Sequence, residues 1–168
     1  LIRAEIYFDK KLYKDAINDY TKVLQMRPDY YSLFLYRAEC YLEAGYQEEA
    51  ISDLGKSIWS DIKDLYGFLR RARLYEKLKM YSFAADDYTE ALRIYEQPDY
   101  YLFRAYAYLQ NEMYGFAIKD YNIYLNYYPQ HANALSNLGY CYLAVSDLYA
   151  AEINFRKAVK FSDNNFDA

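Results

Sequence analysis

The sequence predicts an all-α protein built from repeated pairs of helices, and three recurring features support this. Alanine recurs at intervals of 34, 34, 33 and 34 residues, at Ala16, Ala50, Ala84, Ala117 and Ala151. Twelve residues before each of these alanines stands another small residue, at Ala4, Ala38, Ala72, Ala105 and Gly139. Three residues after that small residue a tyrosine follows, at Tyr7, Tyr41, Tyr75, Tyr108 and Tyr142. A fixed period of roughly 20 to 50 residues indicates a stacked repeat architecture.

Each repeat is predicted to contain two helices, because small and large residues at spacings of three and four lie on one helix face. Four residues after the alanine of the second helix comes a large side chain, at Tyr20, Leu54, Tyr88, Tyr121 and Phe155. Gly45 marks a turn inside one repeat, and Pro28 and Pro129 mark turns between repeats. Proline cannot continue the preceding helix but is tolerated in the first turn of the next.

The period and its residues resemble the tetratricopeptide repeat family, whose pattern is small–x–x–Tyr, then Ala–x–x–x–aromatic, then Pro. The resemblance covers nearly the whole chain and implies an all-α, right-handed superhelical solenoid of antiparallel helix pairs. The family's first-helix Trp is replaced by Phe34, Phe68, Tyr101 and Leu135. The expected units form one continuous domain: a partial unit over 1–30 with a truncated first helix, units over 31–64, 65–97, 98–131 and 132–165, and a tail over 166–168.

A charged pair is predicted to join the two helices of a repeat. An arginine precedes the small residue of the first helix, and an aspartate precedes the large residue of the second. We expect the salt bridges Arg3–Asp19, Arg37–Asp53, Arg71–Asp87 and Arg104–Asp120. In the last repeat both members change together, to Leu138 and Asn154. Such a pair contributes about 1 kcal/mol when partly exposed and more when it is desolvated.

Two further departures from the repeat pattern concern its last unit. Glu152 replaces the apolar residue that follows the alanine in most earlier units, which predicts a final helix that faces solvent. Tyr124 occupies a position that is small in other units, and Gly139 is expected to make room for this ring.

The composition argues against several classes of function. The chain has 168 residues and a net charge of −4, which disfavours nucleic acid as the main partner. It contains no apolar run near the roughly 20 residues of a membrane span. The scattered glycines form no phosphate-binding loop, and His131 is expected to be an exposed loop residue without neighbouring metal ligands. No nucleophile has an adjacent base, so we expect no enzyme activity, no cofactor and no metal.

The compartment and completeness of the chain are predicted from weaker features. Cys40 and Cys141 occupy the same place in their repeats and are expected to be small buried residues. Reduced cysteines suit a cytoplasmic protein. The chain begins at Leu1 within a repeat, so we expect it to be a fragment of a longer protein.

The resemblance to the tetratricopeptide family also implies a concave groove, lined by the first helices, that binds a peptide segment of a partner protein. Aromatic and arginine side chains are the usual hot-spot types at interfaces. An acidic segment is one expected ligand, with its charge at Arg70 and Arg73 and its apolar side chains on aromatic residues further along. The candidate groove residues are Tyr36, Glu39, Tyr66, Arg70, Arg73, Lys77, Phe103, Tyr106, Asn137 and Tyr140.

Other functions of a repeat array remain open at this point. One subfamily, found among co-chaperones, uses two Lys, two Asn and an Arg to bind the C-terminal carboxylate of heat-shock chaperones. No run of three repeats here reproduces that set, and acidic residues such as Glu39 would repel a carboxylate. The main alternative is a structural subunit that packs through its convex face or array ends into a larger complex. RNA binding is a third possibility, which the acidic charge balance disfavours.

Overall fold

A computed structural model of the chain describes residues 1–57 and 65–163, and these residues form ten helices and no strand. The all-α prediction is confirmed. The helices are α1 (Ile2–Asp9), α2 (Tyr13–Met26), α3 (Ser32–Glu43), α4 (Gln47–Lys56), α5 (Leu65–Lys77), α6 (Tyr81–Ile94), α7 (Pro98–Gln110), α8 (Tyr114–Tyr127), α9 (Ala132–Ala144) and α10 (Leu148–Asp163). The chain divides into two compact units, Leu1–Leu74 and Tyr75–Ala168, and the division falls within α5.

The first unit places each helix from α1 to α4 against the next one along the chain. Ala4 and Ala16, both fully buried, let α1 and α2 approach closely. The large side chain of Tyr20 is 2% exposed and packs beside them. The core of this unit consists of Ala4, Ala16, Tyr20, Leu24, Leu33 and Cys40. The recurring small and large residues therefore form one shared core between α1, α2 and α3.

The second unit repeats this packing from α6 to α10, and α7 additionally contacts α9. Its core contains Ala105, Ala117, Tyr121, Tyr124, Ala134, Leu138 and Cys141. Cys141 here and Cys40 in the first unit are free thiols with no exposed surface. Burial raises the pKa of Cys40 to about 12 and that of Cys141 to about 11. Both thiols are therefore packing residues of their units.

The turn between the two helices of a repeat requires one residue in the left-handed region of backbone space. In residues 1–57 and 65–163, the five residues that adopt it follow the period of the repeat, with φ values of 59°, 85°, 58°, 60° and 63° at Lys11, Gly45, Lys79, Glu112 and Ser146. The next backbone N–H donates to the carbonyl of the recurring tyrosine, as in Leu12 to Tyr7 and Tyr46 to Tyr41, both at 2.8 Å. This pattern is a Schellman motif, which satisfies the carbonyl groups at the helix end.

Gly45 is the one glycine among these five turn residues, so replacing it tests the strain of the turn. A Cβ at Gly45 would meet nothing within 4 Å, and the expected loss for Gly45→Ala comes from the backbone alone. We expect Gly45→Ala to lower the free energy of unfolding by about 1 kcal/mol in urea denaturation followed by circular dichroism. The matched variant Gly55→Ala, in α4 with equally open surroundings, should stabilise by up to about 1 kcal/mol. Equal effects of the two substitutions would contradict the assignment.

Candidate functional site

A groove runs between α7 and α9, the first helices of two successive repeats in the second unit. Two adjoining pockets form it and share Asn137. The smaller pocket, of about 290 Å³, lies towards the beginning of both helices and is lined by residues that include Phe103, Tyr106 and His131. The larger, of about 620 Å³, lies towards their ends and is lined by residues that include Gln110 and Tyr140. We call this feature the α7–α9 groove.

Helical spacing explains why α7 presents these side chains together. Ala105 is fully buried, which turns its side of α7 towards the core. Phe103, Tyr106 and Gln110 are separated by three and four residues and therefore share the opposite face. The ring of Phe103 lies 5.7 Å from that of Tyr88, and both rings belong to the second unit. These contacts make Phe103 a half-buried wall of the groove.

The aromatic residues nearer the groove opening are more exposed but still supported by a neighbouring ring. Tyr106 is 40% exposed, and its ring meets that of Tyr81 edge to face at 6.5 Å. Tyr140 is 56% exposed, and its ring meets that of Phe155 edge to face at 5.1 Å. Supported rings lose little conformational entropy on binding, which favours their use as contact surfaces.

Asn137 is the central polar residue of the groove and is held by a hydrogen bond to the core. Its Nδ2 donates to the hydroxyl of Tyr121 at 3.1 Å. Tyr121 is fully buried; burial raises the pKa of its hydroxyl, and the bond from Asn137 opposes that rise. The bond orients the Asn137 amide from beneath. Carboxylates lie at both ends of the groove, Glu76 at the smaller pocket and Glu112 at the larger.

The predicted groove residues of the first unit form a different arrangement, an internal ion pair. The Arg70 Nε donates to Glu39 Oε2 at 2.9 Å, and Arg70 Nη2 donates to the same oxygen. The Arg70 guanidinium lies 4.3 Å from the ring centroid of Tyr36, which stacks on Tyr20 at 6.2 Å. The sequence suggested Arg70 as a contact for an acidic partner, whereas in the structure Glu39 already holds that position. The sequence analysis did not pair Glu39 with Arg70.

The remaining predicted groove residues lie on α5. Tyr66 is 83% exposed, and Arg73 is also exposed within the first unit. Lys77 is exposed at the end of the helix, within the second unit. The candidate set thus separates into the α7–α9 groove with Phe103, Tyr106, Asn137 and Tyr140, the cluster of Tyr36, Glu39 and Arg70, and these three residues of α5.

The arginine–aspartate pairs form bidentate hydrogen bonds between the two helices of a repeat. Arg37 Nε and Nη2 donate to the two carboxylate oxygens of Asp53 at 2.6 and 2.9 Å. Arg104 does the same to Asp120 at 2.7 and 2.9 Å. Only 12% of the Arg37 side chain and 16% of the Arg104 side chain are exposed. Both pairs are therefore largely desolvated. Within each pair, loss of one charged side chain would leave the other buried without a partner.

The outer pair, Arg3 with Asp19, has the same geometry but a more exposed arginine. Arg3 Nε and Nη2 donate to Asp19 at 2.6 and 2.7 Å, and 66% of the Arg3 side chain is exposed. The hydrogen bond from Arg3 holds the pKa of Asp19 below its usual range. Arg71 and Asp87 belong to different units, so their pairing stays a prediction.

Each inner arginine also reaches the repeat before it, which the sequence analysis missed. Arg37 Nη1 donates to the hydroxyl of Thr21 at 2.9 Å, and Arg104 Nη1 donates to that of Thr89 at 3.1 Å. Gly55 takes the place of this threonine in the next repeat. There Arg71 Nη1 donates to the backbone carbonyl of Leu54 at 3.3 Å. Thr21 and Thr89, each one position after the large residue of a second helix, were the sequence feature that could have predicted these contacts.

Two expectations about the last repeats need correction. A Cβ at Gly139 would meet ring atoms of Phe155 at 2.8 Å, so this glycine makes room for Phe155 and not for Tyr124. Tyr124 packs instead on Tyr128 at 5.0 Å and on His131 at 5.4 Å between ring centroids. His131 is half-buried, with its Nδ1 atom inaccessible to solvent, and is not the exposed loop residue that the sequence suggested. Tyr124 therefore packs against the loop that joins α8 to α9, through its contact with His131.

Two features of the described part of the chain bear on other functions. Within residues 1–57 and 65–163, no group of histidine, cysteine and acidic side chains could hold a metal ion. Over the same ranges, every helix is too short or too polar to cross a lipid bilayer.

The helix pairs and their repeat period can be compared with known proteins. A family model for the tetratricopeptide repeat matches residues 3–58 and 104–166, which together exceed half of the chain. The chain belongs to the tetratricopeptide repeat family. Tetratricopeptide proteins are generally interaction scaffolds without enzyme activity of their own.

The similar proteins agree with this fold. Over 91 residues, the chain is 31% identical to U-box domain-containing protein 70 of Oryza sativa subsp. japonica. That alignment covers 54% of this chain and 11% of the rice protein. The crystal structure of MamA superposes with a TM-score of 0.80 at 20% identity, covering 98% of this chain and 97% of MamA. The structure of YrrB, a tetratricopeptide protein with an unusual peptide-binding site, superposes with a TM-score of 0.80 at 16% identity, covering 97% of this chain and 84% of YrrB.

Proposed function

We propose that this tetratricopeptide chain is a protein-interaction scaffold that binds an extended peptide segment of a partner protein in the α7–α9 groove. The observation that carries the proposal is the convergence of three supported rings, Phe103, Tyr106 and Tyr140, around the oriented amide of Asn137. Apolar walls with a few fixed polar groups are typical of binding grooves. The unusual peptide-binding site of YrrB lends support by fold likeness alone.

The chemistry of the groove favours a particular kind of peptide. Alternate side chains of an extended peptide would pack on Phe103, Tyr106 and Tyr140. A backbone N–H of the peptide would donate to Oδ1 of Asn137, whose Nδ2 donates to the hydroxyl of Tyr121. Glu112 at the end of the larger pocket favours a segment with apolar residues in the middle and a basic flank.

An acidic ligand, the kind expected from the sequence, has its support in the first unit. There Arg70 already donates to Glu39, so an acidic peptide would have to displace an internal carboxylate. Arg73, the second predicted contact, is exposed on the same helix. The balance of charges therefore makes the basic-flanked segment our first choice.

Selection from a random peptide library displayed on phage tests the proposal without a known partner. We expect the wild-type chain to enrich peptides with aromatic or aliphatic residues flanked by Lys or Arg. The double variant Tyr106→Ser/Tyr140→Ser should bind the enriched peptides at least about tenfold more weakly in isothermal titration, because two contact rings are lost. Both tyrosines are substantially exposed, so the variant should retain its helical circular dichroism.

The control for this test is Tyr127→Ser, which removes a ring that is 61% exposed at the end of α8, outside the groove. It should bind the enriched peptides as the wild type does. Equal loss in both variants, or no loss in the double variant, would contradict binding in the α7–α9 groove.

The second candidate function, a structural subunit of a larger complex, is favoured by exposed apolar side chains on α10. Leu148 is 66% exposed, Tyr149 is 77% exposed and Val159 is 61% exposed. Exposed apolar surface of this kind marks interaction sites when it is contiguous. In that case the groove variant would keep its assembly partners, whereas substitutions on α10 would release them.

A further inference from the structure

The smaller pocket of the α7–α9 groove contains the only histidine of the chain, His131. This residue directly precedes α9 and is half-buried. Its ring meets that of Tyr124 edge to face at 5.4 Å between centroids, and Tyr124 is only 6% exposed. A core side chain therefore holds the imidazole in one orientation at the wall of the pocket.

The two nitrogens of this imidazole lie in different surroundings. Nδ1 is inaccessible to solvent and has no hydrogen-bond partner in the described part of the chain. Nε2 is not enclosed in this way, so it is the ring nitrogen that a molecule in the pocket can reach. Buried polar groups without a partner are rare in folded proteins, and each one calls for a physical explanation.

The enclosure of Nδ1 favours one tautomer of the neutral ring. Neutral imidazole carries its hydrogen on one nitrogen and an acceptor lone pair on the other. A buried N–H group without an acceptor is rarer in proteins than a buried acceptor without a donor. The hydrogen therefore belongs on Nε2, and His131 presents a donor on the side of the pocket.

We propose that His131 is a binding residue of the α7–α9 groove, and that its Nε2 donates a hydrogen bond to a backbone carbonyl of the bound peptide. This inference rests on the proposed function and adds a second polar contact to it. Asn137 offers the acceptor Oδ1 to a peptide N–H, whereas His131 offers a donor to a peptide C=O. The two residues together recognise the peptide backbone, and the aromatic walls select its side chains.

The spacing of the two residues fits an extended chain. His131 and Asn137 are six positions apart in the sequence, which is about 9 Å along the axis of a helix. An extended chain advances about 3.3 Å per residue, and alternate residues point their N–H and C=O groups to the same side. The N–H of one peptide residue and the C=O two positions later are separated by a similar distance. A helical ligand uses these groups internally, so the pair selects an extended segment.

Isothermal titration of two variants distinguishes the donor from the ring. His131→Phe keeps a ring against Tyr124 and removes the donor, whereas His131→Gln removes the ring and keeps an N–H donor on the side chain. The probe is the peptide that the wild-type chain enriches most from the phage library. We expect His131→Phe to bind this peptide about five- to tenfold more weakly, and His131→Gln to bind it within about threefold of the wild type.

The opposite order of affinities would show that the imidazole acts by packing on Tyr124 alone, and it overturns the proposal. Equal binding by His131→Phe and His131→Gln overturns it too, since the donor then makes no difference.

Nitrogen-15 NMR of the wild type gives a second measurement that needs no variant to fold. The signals are unambiguous because the chain has a single histidine. At about pH 8, where imidazole is neutral in water, we expect the hydrogen on Nε2 in the free chain. Saturation with the same peptide should shift the Nε2 resonance and slow the exchange of its hydrogen with water. A hydrogen on Nδ1 in the free chain, or an Nε2 signal unchanged at saturation, contradicts the assigned contact.

The groove variant Tyr106→Ser/Tyr140→Ser distinguishes failure of this inference from failure of the proposed function. If that variant loses the peptide and His131→Phe does not, the groove binds the peptide without His131. If that variant binds as the wild type does, or if the library yields no peptide, the proposed function fails and the role of His131 fails with it.

Discussion

Asp120→Asn is expected to lower the free energy of unfolding by about 3–5 kcal/mol in urea denaturation. The side chain of Asp120 is 5% exposed and that of Arg104 is 16% exposed. The variant leaves the Arg104 guanidinium charged and desolvated, with a neutral amide in place of its two carboxylate acceptors. Removing one partner of a buried pair is more destabilising than replacing both.

The last repeat suggests a double variant that distinguishes the loss of one partner from the replacement of both. There Leu138 and Asn154 stand where the other repeats have arginine and aspartate, and Leu138 is 2% exposed. Asn154 satisfies its amide by donating to the carbonyl of Ala150 at 2.8 Å. Arg104→Leu/Asp120→Asn copies this solution into the fourth repeat and should recover most of the stability that Asp120→Asn loses.

The exposed pair of the first repeat is the control for this prediction. Asp19→Asn breaks the same geometry but leaves an arginine whose side chain is 66% exposed and can be solvated, and we expect it to cost less than about 1 kcal/mol. If Asp120→Asn and Asp19→Asn lower stability equally, burial of the arginine is not what makes the inner pair important. If the double variant is as unstable as the single one, the last repeat does not represent an alternative packing.

Ala117→Leu is expected to lower the free energy of unfolding by about 3 kcal/mol, the second largest effect. Ala117 and Ala105 are both fully buried within one core, where α7 and α8 approach each other. Extra methyl groups in a close-packed interior force neighbouring side chains and backbones apart. The loss should appear as a lower midpoint in thermal or urea unfolding.

The comparison with an exposed alanine distinguishes packing from helix propensity. Ala144→Leu, at the exposed end of α9, makes the same chemical change without a neighbour to displace and should change stability by less than about 0.5 kcal/mol. A similar loss in both variants would contradict the view that the recurring alanines set the distance between helices.

The repeat period predicted the helices and much of their packing because each recurring residue has a local physical reason. Small residues such as Ala105 and Ala117 indicate a close contact between two helices, and a large residue such as Tyr121 indicates that the space beside that contact is filled. The left-handed turn residues were harder to recognise, since only Gly45 among them lacks the Cβ that strains that conformation. Elsewhere lysine, glutamate or serine tolerates the strain, so composition gives no warning.

The candidate site was predictable in part, because the sequence shows on which helix a residue lies but not where its side chain points. Helical spacing could place Phe103, Tyr106, Asn137 and Tyr140 on first helices, and the structure places these four along the α7–α9 groove. It could not show that Glu39 reaches Arg70 in the next repeat, because that depends on how two long side chains point. Helical spacing also could not show that His131 packs on Tyr124, because that contact depends on the path of the loop between α8 and α9.

The central claim is that a peptide lies in the α7–α9 groove, and photo-crosslinking tests it most directly. A library-selected peptide with one apolar residue replaced by benzoylphenylalanine would be irradiated on the wild-type chain, and the attachment points would be read by mass spectrometry. We expect attachment on the groove faces of α7 and α9, at residues such as Tyr106, Gln110, Asn137 and Tyr140. Attachment confined to α10, or to the first unit, would contradict it.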